Sequence, residues 1–294
     1  VESIFHEIKQ RVQETDTAAP VRKGDWWYVS RTVEGEAYAI HCRGRSRETA
    51  TEQVLLDENV EAEGHEYFSV HAFDVDNSQR LLAWSADTDG SEEYLLRIRD
   101  LDSGRDLDDR IEGTYYGTAW SADAEWLFYT VPDDQMRPYQ LWRHRVGTTQ
   151  ADDALVIEEA DERFFLDVDL SRSGEWIIIT LGSKESSEVW LVPAASPTDA
   201  PRCVRRREDH HEYAVDHWGD RFVVLTNEGA EDFRVMTAPL DAPHDWSEFI
   251  AHEPGRRITG VEPFAGHLVV HAWSQAQPGL RIHFRDGSSR DIDL

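Results

Sequence analysis

The sequence predicts an all-β fold of the β-propeller type, with about six blades visible in the chain and a short helix at its start. Three observations lead there. A unit of roughly 45 to 50 residues recurs along the 294-residue chain, and repeats of that length are the size of propeller blades. The apolar residues fall in strand-sized runs, such as 176–180 and 222–225. The chain also carries 11 Trp, 9 Tyr and 11 Phe, residues that favour strands.

The elements follow in chain order. Ile4, Ile8 and Val12 recur at helical spacing with Phe5 beside them, Ser3 is a suitable N-cap, and Pro20 closes the stretch. Residues 1–20 are therefore read as a helix and hinge linker, and 21–294 as the propeller domain. Each repeat then runs as an apolar strand, a polar turn with Asp, Ser or Gly, a second strand, a loop and a third alternating strand. Three stretches carry the pattern clearly: Phe73-Asp-Val-Asp-Asn-Ser-Gln-Arg-Leu-Leu-Ala-Trp84, Thr118-Ala-Trp-Ser-Ala-Asp-Ala-Glu-Trp-Leu-Phe-Tyr129 and Val168-Asp-Leu-Ser-Arg-Ser-Gly-Glu-Trp-Ile-Ile-Ile179. Weaker copies begin at Gly24, Trp218 and Phe264.

Equivalent positions are Trp26, Arg80, Trp126, Trp176, Arg221 and His267, spaced 54, 46, 50, 45 and 46 residues apart. Third strands are expected at 38–42, 94–98, 139–143, 189–192, 233–236 and 280–284. A single sheet of this kind has two apolar faces, and stacking such sheets buries both. A seventh unit would be centred beyond residue 300. The tetrapeptides Trp84-Ser-Ala-Asp87 and Trp120-Ser-Ala-Asp123 fall at different points of the unit, so their identity is coincidence.

The net charge of −28 argues against a basic surface for phosphates, so no nucleic-acid partner is expected. The acid excess fits solubility or salt adaptation, and alternatively attraction of basic peptides. No apolar window reaches the roughly 18 to 20 residues of a membrane span, and no secretory leader opens the chain, so a cytoplasmic location is the expectation. Cys42 and Cys203 form no motif and are read as plain strand residues.

Chemistry-bearing patterns are sparse. The chain contains no Gly-x-Ser-x-Gly nucleophile elbow; Gly90-Ser91, Gly182-Ser183 and Gly287-Ser288 are read as turns. His210-His211 with Asp209 and Glu212 offers no third ligand at metal spacing and reads as a polar loop. Asp106, Asp108 and Asp109 lack the Gly and Glu of a calcium loop and read as a solvated linker between blades. Arg205-Arg-Arg207 reads as a surface strand end, and the repeat-position tryptophans as packing residues. No catalytic residue, metal or cofactor is assigned, and substrate-binding residues are not identifiable.

Several stretches, taken together, resemble the oligopeptidase B (protease II) group of the prolyl oligopeptidase family of serine peptidases. They are Ile4-Phe-His-Glu-Ile-Lys-Gln-Arg11, Glu14-Thr-Asp-Thr17, Pro20-Val-Arg-Lys-Gly-Asp-Trp-Trp-Tyr28, Val54-Leu-Leu-Asp57, Asn59, Gly64-His-Glu-Tyr-Phe68, Asp87-Thr-Asp-Gly90, Glu93-Tyr94, Arg137-Pro-Tyr-Gln-Leu-Trp-Arg-His144, Gly147-Thr148, Glu158-Glu-Ala-Asp161 and Thr226-Asn227. The stretch 273–278 departs from the group's charged segment. The resemblance implies a seven-bladed propeller capping an α/β-hydrolase domain that is absent from this chain. It implies hydrolysis of short peptides after Lys or Arg by a Ser-Asp-His triad in that domain, with the propeller as gate and size filter. Two alternatives stay open: the gate of a Pro-specific oligopeptidase, and a stand-alone propeller serving as an interaction scaffold. Six units without a closing blade are also expected to self-associate.

Overall fold

The computed structural model describes residues 2–293 and contains almost only antiparallel sheet. A short helix, α1 (Glu2–Lys9), precedes six sheets that follow one another in sequence. The chain forms two compact units, one of residues 1–70, 86–91 and 101–105, the other of residues 71–85, 92–100 and 106–294.

The first unit holds sheet 1. Its strands are β1 (Asp16–Thr17), β2 (Val21–Lys23), β3 (Trp26–Thr32), β4 (Ile40–Gly44) and β5 (Gln53–Asp57), in the order β1-β3-β4-β5 with β2 also on β3. Strand pairing therefore starts at Asp16, inside the stretch read as linker. A turn through Gly24, at φ +61°, brings Lys23 opposite Trp26. A small core of Val29, Ile40, Cys42 and Ala50 covers one face. A second helix, α2 (Glu58–Glu61), is capped by the Asp57 carboxylate, which accepts from the Asn59 N–H.

Sheet 2 comprises β6 (Ser69–Val75), β7 (Leu81–Asp87), β8 (Tyr94–Asp100) and β9 (Arg105–Thr114). Sheet 3 comprises β10 (Thr118–Trp120), β11 (Trp126–Pro132), β12 (Pro138–Arg145) and β13 (Ala154–Glu158), and sheet 4 β14 (Phe165–Leu170), β15 (Trp176–Gly182), β16 (Ser187–Pro193) and β17 (Arg202–Cys203). Sheet 5 runs β18 (Tyr213–Trp218), β19 (Arg221–Thr226), β20 (Arg234–Pro239) and β21 (Ser247–Ile250); sheet 6 runs β22 (Arg256–Phe264), β23 (His267–Ser274), β24 (Gln277–Phe284) and β25 (Ser289–Ile292). Each of these sheets has its strands in sequence order, as a propeller blade does.

The six equivalent positions mark the start of the second strand in every sheet: Trp26, Trp126, Trp176, Arg221 and His267 are its first residue, and Arg80 directly precedes β7. The polar turn before it has a physical task. Asp76, wholly buried, accepts from the N–H groups of Ser78, Arg80 and Leu81, while the Ser121 and Ser171 hydroxyls accept from Trp126 N–H and Trp176 N–H. These side chains satisfy donors that a tight turn leaves without backbone acceptors.

Within the second unit the core is a series of layers between consecutive sheets. Alternation along each central strand sends neighbouring residues to opposite layers. Thus Leu127 and Tyr129 pack with Leu81, Ala83, Leu96 and Ile111, whereas Phe128 packs with Leu166, Val168, Ile177 and Ile179. Ile178, Val189 and Leu191 meet Val215, Phe222 and Val224, and Val223 and Val235 meet Ile258, Leu268 and Val270. Indole N–H groups tie layers at their edges: Trp120 donates to the Asp74 carbonyl and Trp218 to the Phe264 carbonyl.

Candidate functional site

The first strands of the sheets in the second unit carry the most unusual chemistry. Each lies at a sheet edge, and β10 runs beside β14 as β18 runs beside β22. In β14, Leu166 and Val168 enter the core, while Phe165, Asp167 and Asp169 face solvent. Asp216 on β18 and His71 on β6 belong to the same row, because both act electrostatically on the β14 carboxylates. Asp167 and Asp169 reach water, and yet the protein around them desolvates both carboxyls.

Charge on this wall is poorly compensated. Burial pushes the Asp167 and Asp216 carboxyls up. It lifts Asp169 to about 6, with Asp167 and Asp216 adding repulsion. Asp167 accepts from Val168 N–H at 2.9 Å, and Asp216 accepts from His217 N–H at 2.7 Å and Arg172 N–H at 3.1 Å. The Arg172 guanidinium turns away to Glu262 at 3.4 Å and lies over the Phe264 ring. His71 is a weakened counter-cation, since desolvation lowers its pKa more than Asp167 raises it. Its ring stacks on Tyr116 at 3.7 Å between centroids, and Tyr116 stacks on Tyr115 at 3.9 Å. Desolvation, with Tyr116 alongside, pushes the Tyr115 hydroxyl up to about 12. Arg172 and His217 draw the Asp216 carboxyl down only in part, and a wall of aromatic faces and incompletely compensated carboxylates is suited to cationic groups.

The sequence-derived candidates are dispersed. His211 is buried and bonded to the Thr226 hydroxyl, while His210, at φ +62°, is exposed and pairs with Glu185 at 2.8 Å. Among the described residues no three His, Cys, Asp or Glu side chains come together to hold a metal. The reading of Asp106, Asp108 and Asp109 as a solvated linker is corrected: all three lie in β9. Asp106 accepts from the Trp84 indole and Arg99, and Asp109 is buried against His144. These partners sit on other strands, which is why an edge strand of such polar composition is stable.

Arg205-Arg-Arg207 lies just past the end of β17, and its guanidiniums are engaged. Arg205 pairs with Glu228 and covers the Trp246 ring, Arg206 pairs with Glu188, and Arg207 bridges Glu188 and Glu159. The repeat-position tryptophans pack under arginines: Arg43 in β4 and Arg45 just beyond it on Trp26, Arg143 and Arg145 of β12 on Trp126, and Arg202 of β17 on Trp176. Cys42 lies in β4 and Cys203 in β17, both as free thiols.

Two polar constellations had no sequence signal. In sheet 1, His41 Nε2–H donates to Glu58 at 2.6 Å and Nδ1 accepts from the Ser30 hydroxyl at 2.9 Å. This copies the connectivity of a hydrolytic triad. However, Ser30 sits mid-strand, directly opposite His41, in a strand paired on both sides. Its neighbouring N–H groups are committed to the sheet, so no oxyanion-binding pair faces the hydroxyl. In the second constellation the His144 ring lies between the Asp109 and Asp153 carboxylates. The acidic wall itself was partly visible, since Phe165-Leu-Asp-Val-Asp-Leu170 alternates in the manner of a half-buried strand.

Comparison with known proteins places this geometry in context. A family model described as the prolyl oligopeptidase N-terminal beta-propeller domain matches residues 1–294. Dipeptidyl aminopeptidase BI of Pseudoxanthomonas mexicana is 35% identical, aligned over 98% of this chain and 42% of its own length. Protease 2 of Moraxella lacunata is 33% identical over 92% of this chain and 40% of its own. The closed form of oligopeptidase B from Trypanosoma brucei, with covalently bound antipain, superposes with a TM-score of 0.90 at 28% identity, covering 100% of this chain and 43% of that one. The chain thus spans about two fifths of the length of the curated relatives it matches.

Proposed function

We propose that this chain, which belongs to the prolyl oligopeptidase family through its N-terminal β-propeller domain, gates and size-filters the substrates of a serine peptidase that cleaves short peptides after Lys or Arg. The chemistry belongs to an α/β-hydrolase domain outside this sequence. The observation that carries the reading is the wall of His71, Tyr116, Asp167, Asp169 and Asp216, whose carboxyls are raised by burial despite their basic neighbours and so have charge to offer an incoming basic peptide. A flexible basic peptide can satisfy those carboxylates one residue at a time, whereas a folded protein is too wide to follow it. The solved relative described as a closed form with covalently bound antipain supports closure as part of the cycle.

The parent enzyme is expected to cleave fluorogenic Arg-terminated peptides, and this chain alone to cleave none. Faster turnover of Pro-terminated substrates by the parent would transfer the gate to a Pro-specific peptidase. Release of N-terminal dipeptides would favour an exopeptidase, the activity named for the Pseudoxanthomonas relative. No peptidase activity in the parent would leave an interaction scaffold. Locking the two domains with an engineered disulfide should abolish cleavage; an unchanged rate would sink the gating idea.

A further inference from the structure

His144, on the third strand of sheet 3, is completely buried, with a side-chain exposure of 0%. Its Nε2 lies 2.9 Å from Asp109 Oδ1, on the outer strand of sheet 2, and its Nδ1 lies 2.7 Å from Asp153 Oδ1, directly before the outer strand of sheet 3. The two carboxylates are 2% and 1% exposed. Tyr129 donates its hydroxyl to the other Asp153 oxygen at 2.8 Å, and Gly147 N–H donates to Asp109 at 2.6 Å. Around this centre the side-chain amide of Gln150 pairs with both backbone groups of Glu112, each at 3.0 Å, closing the open edge of β9. The nearby charges Arg110 and Arg145 are exposed, the latter beside Glu125.

A neutral imidazole has one donor and one acceptor. Between two carboxylates it leaves one nitrogen lone pair facing an oxygen lone pair, with no water to separate them. Only the doubly protonated ring donates to both. We propose that His144 is a proton-operated latch joining the outer strand of sheet 2 to the rim of sheet 3. Burial alone lowers the imidazole pKa, but the hydrogen bonds to Asp153 and Asp109 outweigh it and the net direction is up. The sign follows: a base stronger in the folded state stabilises fully below its unfolded pKa of about 6.5, and that contribution is lost as pH rises through the folded value. Tyr129 is shifted upward by its burial and by Asp153, so it does not titrate in the same window.

The inference is independent of the peptidase reading and is tested on the full chain by hydrogen exchange. After correction for intrinsic rates, protection of residues 105–114 and 146–158 should fall at least tenfold between pH 6 and pH 9. His144→Gln should remove that pH dependence. Nitrogen-15 shifts assigned with the same variant should show His144 doubly protonated at pH 7.5. If His144→Gln does not fold, Asp109→Asn serves: its amide oxygen still accepts from Gly147 and His144, but the lost charge should move the opening midpoint to lower pH. A neutral His144 at pH 7, constant protection across the range, the same loss in His144→Gln, or an unmoved midpoint in Asp109→Asn would each overturn the latch.

Discussion

Asp169 illustrates how single side chains on the acidic wall are held against their own preference. Its carboxyl is lifted to about 6 by burial and by the like charges of Asp167 and Asp216. An acid weakened by folding binds its proton more tightly in the native state. Stability is therefore highest below the unfolded value near 4, declines as pH rises to about 6, and stays reduced above it. Asp169→Asn should raise the thermal midpoint at pH 8 but hardly at pH 4, and the gain should shrink in high salt because the residue reaches water. An equal shift at both pH values would mean that charge is not the cause. Gly44 shows a different constraint. A Cβ there would stand 1.8 Å from the Thr49 carbonyl oxygen, a backbone atom that cannot swing aside. Gly44→Ala should cost more than about 3 kcal/mol by chemical denaturation, in the range of buried steric clashes.

At the scale of the strand and turn, legibility depended on how many neighbours an element has. Second strands were readable at all six positions: β7, β11, β15 and β19 are largely buried on both faces, and in sheets 2, 3 and 4 a turn precedes them whose Asp or Ser satisfies N–H groups. Outer strands were not: β17 has two residues, β21 reads Ser247-Glu-Phe-Ile250, and β9 was mistaken for a linker. Each pairs on one side only and is half exposed, so its composition follows side-chain partners rather than alternation. The acidic wall was legible as a half-buried strand, but not which of its faces meets water. The contact between His144 and Asp109 spans 35 positions and two sheets, beyond any local signal. The stretch 273–278, where the family resemblance faltered, forms a two-residue hairpin in which Gln275 and Ala276 hold φ of +50° and +61°. Such turns favour Asn-Gly. Replacing Gln275-Ala276 by Asn-Gly should stabilise the chain by about 1 kcal/mol, since glycine at position 276 relieves left-handed strain of about that size. No gain in a denaturant midpoint would mean the turn relaxes at no cost.

For the molecule as a whole, two opposing forces meet. The net charge of −28 makes every copy repel itself and its neighbours. Against this stands sheet 6, whose third strand β24 has no buried residue although β8, β12, β16 and β20 all do, and where Trp273 is 48% exposed. Apolar sheet surface of this kind favours association. Repulsion acts through water and is screened within about 10 Å at 0.1 M salt, whereas burial of apolar surface is not weakened by salt. The balance should therefore tip with ionic strength. In sedimentation velocity at neutral pH this chain should be monomeric in 20 mM salt and form dimers or larger species in 500 mM, and its thermal midpoint should rise over the same range. Trp273→Ser should reduce the high-salt association while leaving the salt dependence of the midpoint intact, because the first reports the sheet surface and the second the distributed charge. Association strongest at low salt would instead point to specific ion pairs between copies, and a monomer at every salt concentration would mean that the exposed surface of sheet 6 is too small to hold a second molecule.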